Sequence, residues 1–201
     1  MNNIKSTTCI VGYVDEKTGD IYMGGDSERV SWYNSITSNE KKVFVKDKII
    51  LGCTGYVTLL QALKYSFTIP ERNKEDSNTY VKSVLVKSIK KCLEGDNLAK
   101  KEHNIVSFEG TILIGYDKCL YQITGDFGCV SISDNYYSIG CGGDYAKGAL
   151  FTLRGANLTS KQKITKALEA ADKFSVGVSK PFHILRLKSK KEEGKSKGTG
   201  E

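Results

Sequence analysis

Four short apolar, β-branched runs are crowded into the first 53 residues, after which the hydrophobic spacing changes from strand-like to helical. Residues 9–14 and 21–23 flank the turn-like DEKTGD and end on Gly24-Gly25-Asp26, the pattern of a β-hairpin, and residues 42–45 and 49–53 flank a second turn. From Tyr56 the apolar residues recur at helical spacing through Leu60, Leu63 and Phe67 until Pro70 stops the run. Val81, Val84, Leu85, Ile89 and Cys92 draw a second stripe, which Gly95 is placed to end. The cycle then repeats, with strand-like runs at 111–116, 119–124 and 136–139. Two further helices carry Ala146, Ala149, Leu150 and Leu153 and, behind a capping Thr159-Ser160, Ile164, Ala167, Leu168 and Ala171; a last strand covers 182–187. Strands and helix pairs segregated in this way do not wind an alternating parallel sheet. They predict an α+β layered sandwich, with two sheets covered by two helical layers in a four-layer αββα arrangement.

A chain of 201 residues suits one domain, because a chain of that size buries about 70% of the surface its unfolded form exposes. Nothing at the N-terminus resembles a secretory signal, and no run of about 18 apolar residues could span a bilayer, so a cytoplasmic protein without membrane contact is expected. The net charge of +7 would permit a nucleic-acid partner. Part of the excess, however, lies in the terminal KSKKEEGKSKGTGE, and the rest is interspersed with acids without an aromatic-basic stripe, so no nucleic-acid partner is expected. Residues 8–188 form the predicted domain, and 189–201 read as a disordered basic tail.

Most routes to chemistry are closed. The six cysteines, Cys9, Cys53, Cys92, Cys119, Cys129 and Cys141, show neither CxxC spacing nor a histidine at metal-ligand spacing, so they read as buried free thiols. His103 and His183 lack any HExxH or Ser-His-Asp context, and His183 reads as a packed or edge-strand residue. Gly140-Cys141-Gly142-Gly143 lacks the GxxxxGK spacing of a phosphate loop and reads as a tight strand-to-helix turn.

One pattern runs along nearly the whole chain. Thr8-Cys9-Ile10-Val11-Gly12, Gly24-Gly25-Asp26-Ser27, Lys41-Lys42-Val43, Gly52-Cys53-Thr54-Gly55, Ile139-Gly140-Cys141-Gly142-Gly143 and Ala170-Ala171-Asp172-Lys173-Phe174-Ser175 resemble, in order and approximate spacing, the successive landmarks of proteasome β subunits and HslV. Proteasome-like proteins of bacteria and phages are the nearest in character. The resemblance covers roughly residues 8–187 and implies an N-terminal-nucleophile (Ntn) hydrolase that cleaves peptide bonds with no cofactor and no metal.

The residue types fit that chemistry. A threonine hydroxyl is a poor nucleophile until a base takes its proton, and a free α-amino group, with a reference pKa of about 7.7–8.0, is such a base near neutral pH. The resemblance makes Thr8 the nucleophile once residues 1–7, a propeptide-like extension, have been removed. It places Lys42 beside the Thr8 hydroxyl, Asp26 as the partner of Lys42, the Gly55 N–H as oxyanion donor, and Asp172 and Ser175 as supports of the amine. Cys141 stands where the family usually has serine, and a thiol is a weaker hydrogen-bond partner. Arg29, Glu40 and Cys53 are expected by analogy to line the specificity pocket. Independently, a hairpin turn centred near Lys17 would set Thr8 opposite Asp26, or one residue away if the turn carries a bulge.

Thr7 remains an alternative nucleophile. A catalytically silent subunit that keeps its extension, and an Ntn amidase acting on small amides, are the competing readings. The resemblance further implies a polypeptide or peptide substrate and a homo-oligomeric ring, and leaves open whether an ATP-dependent unfoldase is a further partner.

Overall fold

A computed structural model describes residues 8–31, 34–37 and 40–189, with backbone only for 29–31 and 34–37. In chain order the elements are β1 (Cys9–Val14), β2 (Ile21–Gly25), β3 (Glu28–Ser31), β4 (Asn34–Thr37), β5 (Val43–Lys46), β6 (Ile49–Gly55) and α1 (Val57–Gln61), which continues as a π-helical stretch, Ala62–Ser66. The short α2 (Ser77–Thr79) runs through a second π-helical stretch, Tyr80–Leu85, into α3 (Val86–Gly95). There follow β7 (Ala99–Glu102), β8 (Ile105–Phe108), β9 (Gly110–Tyr116), β10 (Cys119–Ile123), β11 (Cys129–Ile132), β12 (Tyr136–Gly140), α4 (Gly143–Thr152), α5 (Ser160–Phe174) and β13 (His183–Leu187).

Two antiparallel sheets carry the fold, one ordered β12-β1-β2-β13 and the other β11-β10-β9-β6-β5. Between them lie Ile10, Ile21, Met23, Val43, Ile50, Leu113 and Leu120, all buried. Cys9, Val11 and Tyr13, on the opposite face of β1, pack against Ala146, Leu150, Ile164 and Leu168 of α4 and α5. Leu51 and Ile112 of the second sheet face Leu63, Leu85, Ile89 and Leu93 of the other helical layer. These three apolar interfaces make the predicted αββα sandwich, and truncating one fully buried leucine such as Leu93 to alanine is worth about 2–5 kcal/mol.

Local chemistry sets the boundaries. Thr159 caps α5 in a reciprocal box with Gln162, as its position before Ser160 predicted, and Asp76 caps α2 by accepting from the Asn78 and Thr79 N–H groups. Gly95 is the last residue of α3, but the left-handed turn that ends it falls on Asn97 (φ 57). Two hairpins, β3–β4 and β7–β8, and the strand β11 were not predicted. β7 is the lysine-rich AKKE, mostly exposed, and β11 is likewise largely exposed, so neither carries the apolar alternation that marks a strand.

The β1–β2 register corrects the sequence estimate by one residue: Ile10 faces Gly25 and Val14 faces Ile21, so Cys9, not Thr8, comes opposite Asp26. The cause is a connection of six residues, 15–20, closed by the Asp15 N–H to the Asp20 carbonyl and turned at Gly19 (φ +72). No disulfide joins the described cysteines; Cys9 and Cys53 are buried as expected, whereas Cys92, Cys129 and Cys141 are only half-buried and Cys119, which opens β10 at a turn, is exposed. His183 sits half-buried on β13, the edge strand of its sheet. The proposed extension 1–7, with Thr7, and nearly all of the 189–201 tail lie outside the described residues. Its first member, Ser189, donates its N–H to Asp20 Oδ1 at 2.7 Å.

Candidate active site

Thr8 stands at the mouth of β1, Asp26 directly after β2 and Lys42 directly before β5. The hairpin register brings the first two together, and β5, on the facing sheet, delivers the third between the layers. All three are buried, Thr8 at 5% exposure, Asp26 at 0% and Lys42 at 4%.

The Lys42 ammonium donates to Thr8 Oγ1 at 3.1 Å, to Asp26 Oδ1 at 3.1 Å and Oδ2 at 2.9 Å, and to the Glu28 carbonyl. Asp26 accepts two backbone N–H groups as well, from Cys9 at 2.8 Å and Glu28 at 2.9 Å. The carboxylate is therefore held on every side and cannot rotate away from the lysine. Burial nonetheless raises its pKa above the ordinary carboxylate range, with the Lys42 charge and the Cys9 N–H pulling partly back. An ion pair taken this far out of water is a poor way to gain stability, because desolvation offsets much of the attraction. Such a pair, aimed at a hydroxyl, is the arrangement expected of a functional site.

Cys141 occupies the other side of Thr8. The Thr8 N–H points at Cys141 Sγ at 3.4 Å, the Ser175 hydroxyl donates to the same sulfur at 3.4 Å, and Sγ lies 3.5 Å from the Thr8 carbonyl oxygen. Thiol and serine thus reach the nitrogen that would become the amine, Cys141 directly and Ser175 through the sulfur. Asp172, half-buried on α5, is not joined to Thr8, Lys42 or Cys141 by any hydrogen bond or ion pair among the described residues. Its assignment as a direct support of the amine is not reproduced by the geometry.

Gly55 ends β6 at φ +109, and a Cβ there would meet the Glu109 carbonyl at 2.5 Å. Only glycine fits this crossing, which leads the chain from the strand into α1. Of the three expected pocket residues, Cys53 is buried in the core beside the α1–α3 layer, Glu40 lies 3.9 Å from Lys64 Nζ, and the Arg29 side chain is outside the described residues.

Sequence reasoning missed two contributors. Gly140 has φ +96, and a Cβ on it would stand 2.1 Å from the Thr8 carbonyl oxygen, so this glycine lets β12 close over the nucleophile. Its signal, the first glycine of Gly140-Cys141-Gly142-Gly143, reads in the sequence as a tight turn and a family landmark, neither of which assigns it a part at the nucleophile. Glu28 acts through its backbone N–H and carbonyl, for which side-chain identity gives no sign.

No family model matches the chain. Its sequence is 25% identical over 191 residues to the ATP-dependent protease subunit HslV of Sulfurihydrogenibium sp. (strain YO3AOP1), covering 93% of this chain and 99% of that relative. Its fold matches BPH of Thiobacillus denitrificans, solved in complex with epoxomicin, at a TM-score of 0.76 and 16% identity, over 91% of this chain and 100% of that one. Eukaryotic HslV from Trypanosoma brucei matches at a TM-score of 0.66 and 14% identity, over 90% of this chain and 99% of that one. The chain is thus similar in sequence to HslV and, with its αββα sandwich, shares the Ntn hydrolase fold of HslV and BPH.

Proposed function

We propose that the chain is a threonine peptidase whose nucleophile is Thr8, liberated by removal of residues 1–7. The observation that carries this reading is the buried Lys42 ammonium, 3.1 Å from Thr8 Oγ1 and locked to Asp26. A positive charge at that distance, in a site closed to water, favours the alkoxide and lowers the pKa of the hydroxyl. It also supports Thr8 rather than Thr7 as the nucleophile.

In the uncleaved chain the Thr8 nitrogen is an amide and cannot accept a proton. Attack of Thr8 Oγ on the Thr7 carbonyl would transfer residues 1–7 to the oxygen as an ester, free the Thr8 amine, and end with hydrolysis by water. The mature site repeats this chemistry on substrate. The amine takes the Oγ proton as Oγ adds to the peptide carbonyl, the Gly55 N–H donates to the oxyanion, and the amine returns the proton to the leaving nitrogen. Water then resolves the acyl-enzyme. Cys141, and Ser175 behind it, orient the amine.

The likeness to an ATP-dependent protease subunit supports a polypeptide substrate, a homo-oligomeric ring and an ATP-dependent partner. No helix among the described residues is long and apolar enough to cross a membrane, in keeping with a cytoplasmic site of action. The test is intact-mass measurement with N-terminal sequencing of wild type and Thr8→Ala. Wild type beginning at Thr8, with the variant keeping residues 1–7, is the expected result, followed by an epoxomicin adduct on wild type alone. An extension retained by both proteins would overturn the proposal and favour a silent subunit.

A further inference from the structure

A cavity of about 390 Å³ lies at the opposite end of the β1–β2 hairpin from Thr8. There the turns at 46–48 and at Asp117-Lys118 meet the end of β13. This volume is in the range of small-molecule sites.

Arg72 is the fixed feature of its wall. Its Nε donates to the Glu75 carbonyl at 2.8 Å, and Nη1 donates to Ser77 Oγ at 3.0 Å and to the Tyr116 hydroxyl at 3.3 Å. All three acceptors are neutral and hold the guanidinium in place. Asp117 forms an ion pair with Nη1 at 3.6 Å and also takes the Ser77 hydroxyl, so part of the Arg72 charge is already answered and the excess over the carboxylates comes from the lysines. Lys48, Lys118 and Lys188 line the same cavity, and none forms an ion pair among the described residues. The stem of Lys118 lies over Gly19, which has no side chain to push it away. Four cations therefore face two carboxylates, Asp47 and Asp117, beside an apolar wall of Ile21 and Leu187.

We propose that this cavity binds a small phosphate-bearing molecule, its phosphates held by the three lysines and the Arg72 guanidinium and its remainder lying on Ile21 and Leu187. A preorganised guanidinium with lysines around it suits a multiply charged phosphate, which can engage several cations at once; a single carboxylate cannot. The site is separate from Thr8, so the inference does not rest on the peptidase reading.

The test is calorimetric titration of the full chain with inorganic pyrophosphate, ATP and a glutamate pentapeptide, for wild type, Thr8→Ala and the double variant Lys48→Glu/Lys118→Glu. Thermal melting checks that each variant is folded. Saturable binding of pyrophosphate or ATP, unchanged in Thr8→Ala and weakened about tenfold or more in the double variant, is the expected result. ATP binding more tightly than pyrophosphate would mark an organic phosphate, and equal affinity the phosphate groups alone. No saturation by about 10 mM of either phosphate, binding untouched by the double variant, or equal binding of the pentapeptide would each overturn the proposal.

Discussion

The two ends of the β1–β2 hairpin each hold an aspartate paired with a cation, and they are built to opposite purposes. At the open end Asp26 and Lys42 are buried together, at 0% and 4% exposure. At the turn end Asp20 is also buried, but its partner Arg186 leaves 47% of its side chain in water. Burial pushes the Asp26 carboxyl up. For Asp20 burial acts in the same direction, yet the Ser189 N–H and the Arg186 guanidinium hold it below the usual range. A half-hydrated cation makes a clip that ties the last strand to the hairpin. A dehydrated one keeps its field, and here the field points at a hydroxyl.

The largest effect should come from breaking the buried pair on one side. Lys42→Met leaves the buried Asp26 with its two backbone N–H donors but no countercharge, and breaking a buried pair on one side typically destabilises by about 3–5 kcal/mol. Self-processing and peptide hydrolysis should fall by about 10³-fold or more, by analogy with other electrostatic stabilisers of a reacting oxygen. Intact mass after fixed times and a fluorogenic peptide assay check this. If Lys42→Met processes at the wild-type rate, the open end is only a clip like the other.

Gly140→Ala comes next. Its φ of +96 and the 2.1 Å approach of a Cβ to the Thr8 carbonyl oxygen require the chain to move at the nucleophile itself. Backbone strain of this kind is worth about 1–3 kcal/mol, and a displaced Thr8 should lose about 10²-fold in rate. A variant that melts lower yet hydrolyses peptide normally would show that β12 supports the fold and not the geometry of Thr8.

The pH response separates the two ends by sign. Asp20, with a lowered folded pKa, adds stability that is present above its unfolded value of about 3.9 and is lost as pH falls through the folded value. Asp26, with a raised folded pKa, behaves in reverse: its contribution is full below about pH 3.9 and is lost as pH rises through the folded value. Carbon-detected NMR titration of the two carboxyls should find Asp26 titrating above that reference and Asp20 below it. The same order in both would remove the distinction drawn between the pairs.

How much of this was legible in the sequence follows from the kind of signal each part carries. The layers could be read because residues such as Val11 and Leu168 repeat with the period of their element. Thr8, Asp26 and Lys42 could be assigned because family landmarks and chemistry agreed on side-chain identity, and the structure gathers all three. The register was off by one because a six-residue connection was counted as symmetric about one residue. Glu28 was invisible since it reaches Asp26 and Lys42 through its backbone N–H and carbonyl, and β7 and β11 were invisible because exposed strands have no apolar face to alternate. Asp172 was carried over from the family pattern, and no hydrogen bond in the described structure joins it to the nucleophile.

The smallest expected effect lies at the turn end and tests whether that end is structural alone. Arg186→Met removes the half-exposed partner of Asp20, while the Ser189 N–H remains to satisfy one carboxylate oxygen. A pair with that much access to water contributes about 1 kcal/mol or less, so the melting temperature should drop by only a few degrees at neutral pH. The acid sensitivity should shrink as well, since the Asp20 pKa moves back toward its unfolded value and less stability remains to be lost below about pH 4. Processing at Thr8 and peptide turnover should stay at the wild-type level, because Arg186, opposite Tyr22 and bound to Asp20, lies most of β2 away from Asp26. A fall in turnover larger than the fall in stability would mean that the hairpin transmits the turn-end clip to the nucleophile, and that the two aspartate pairs act as one device.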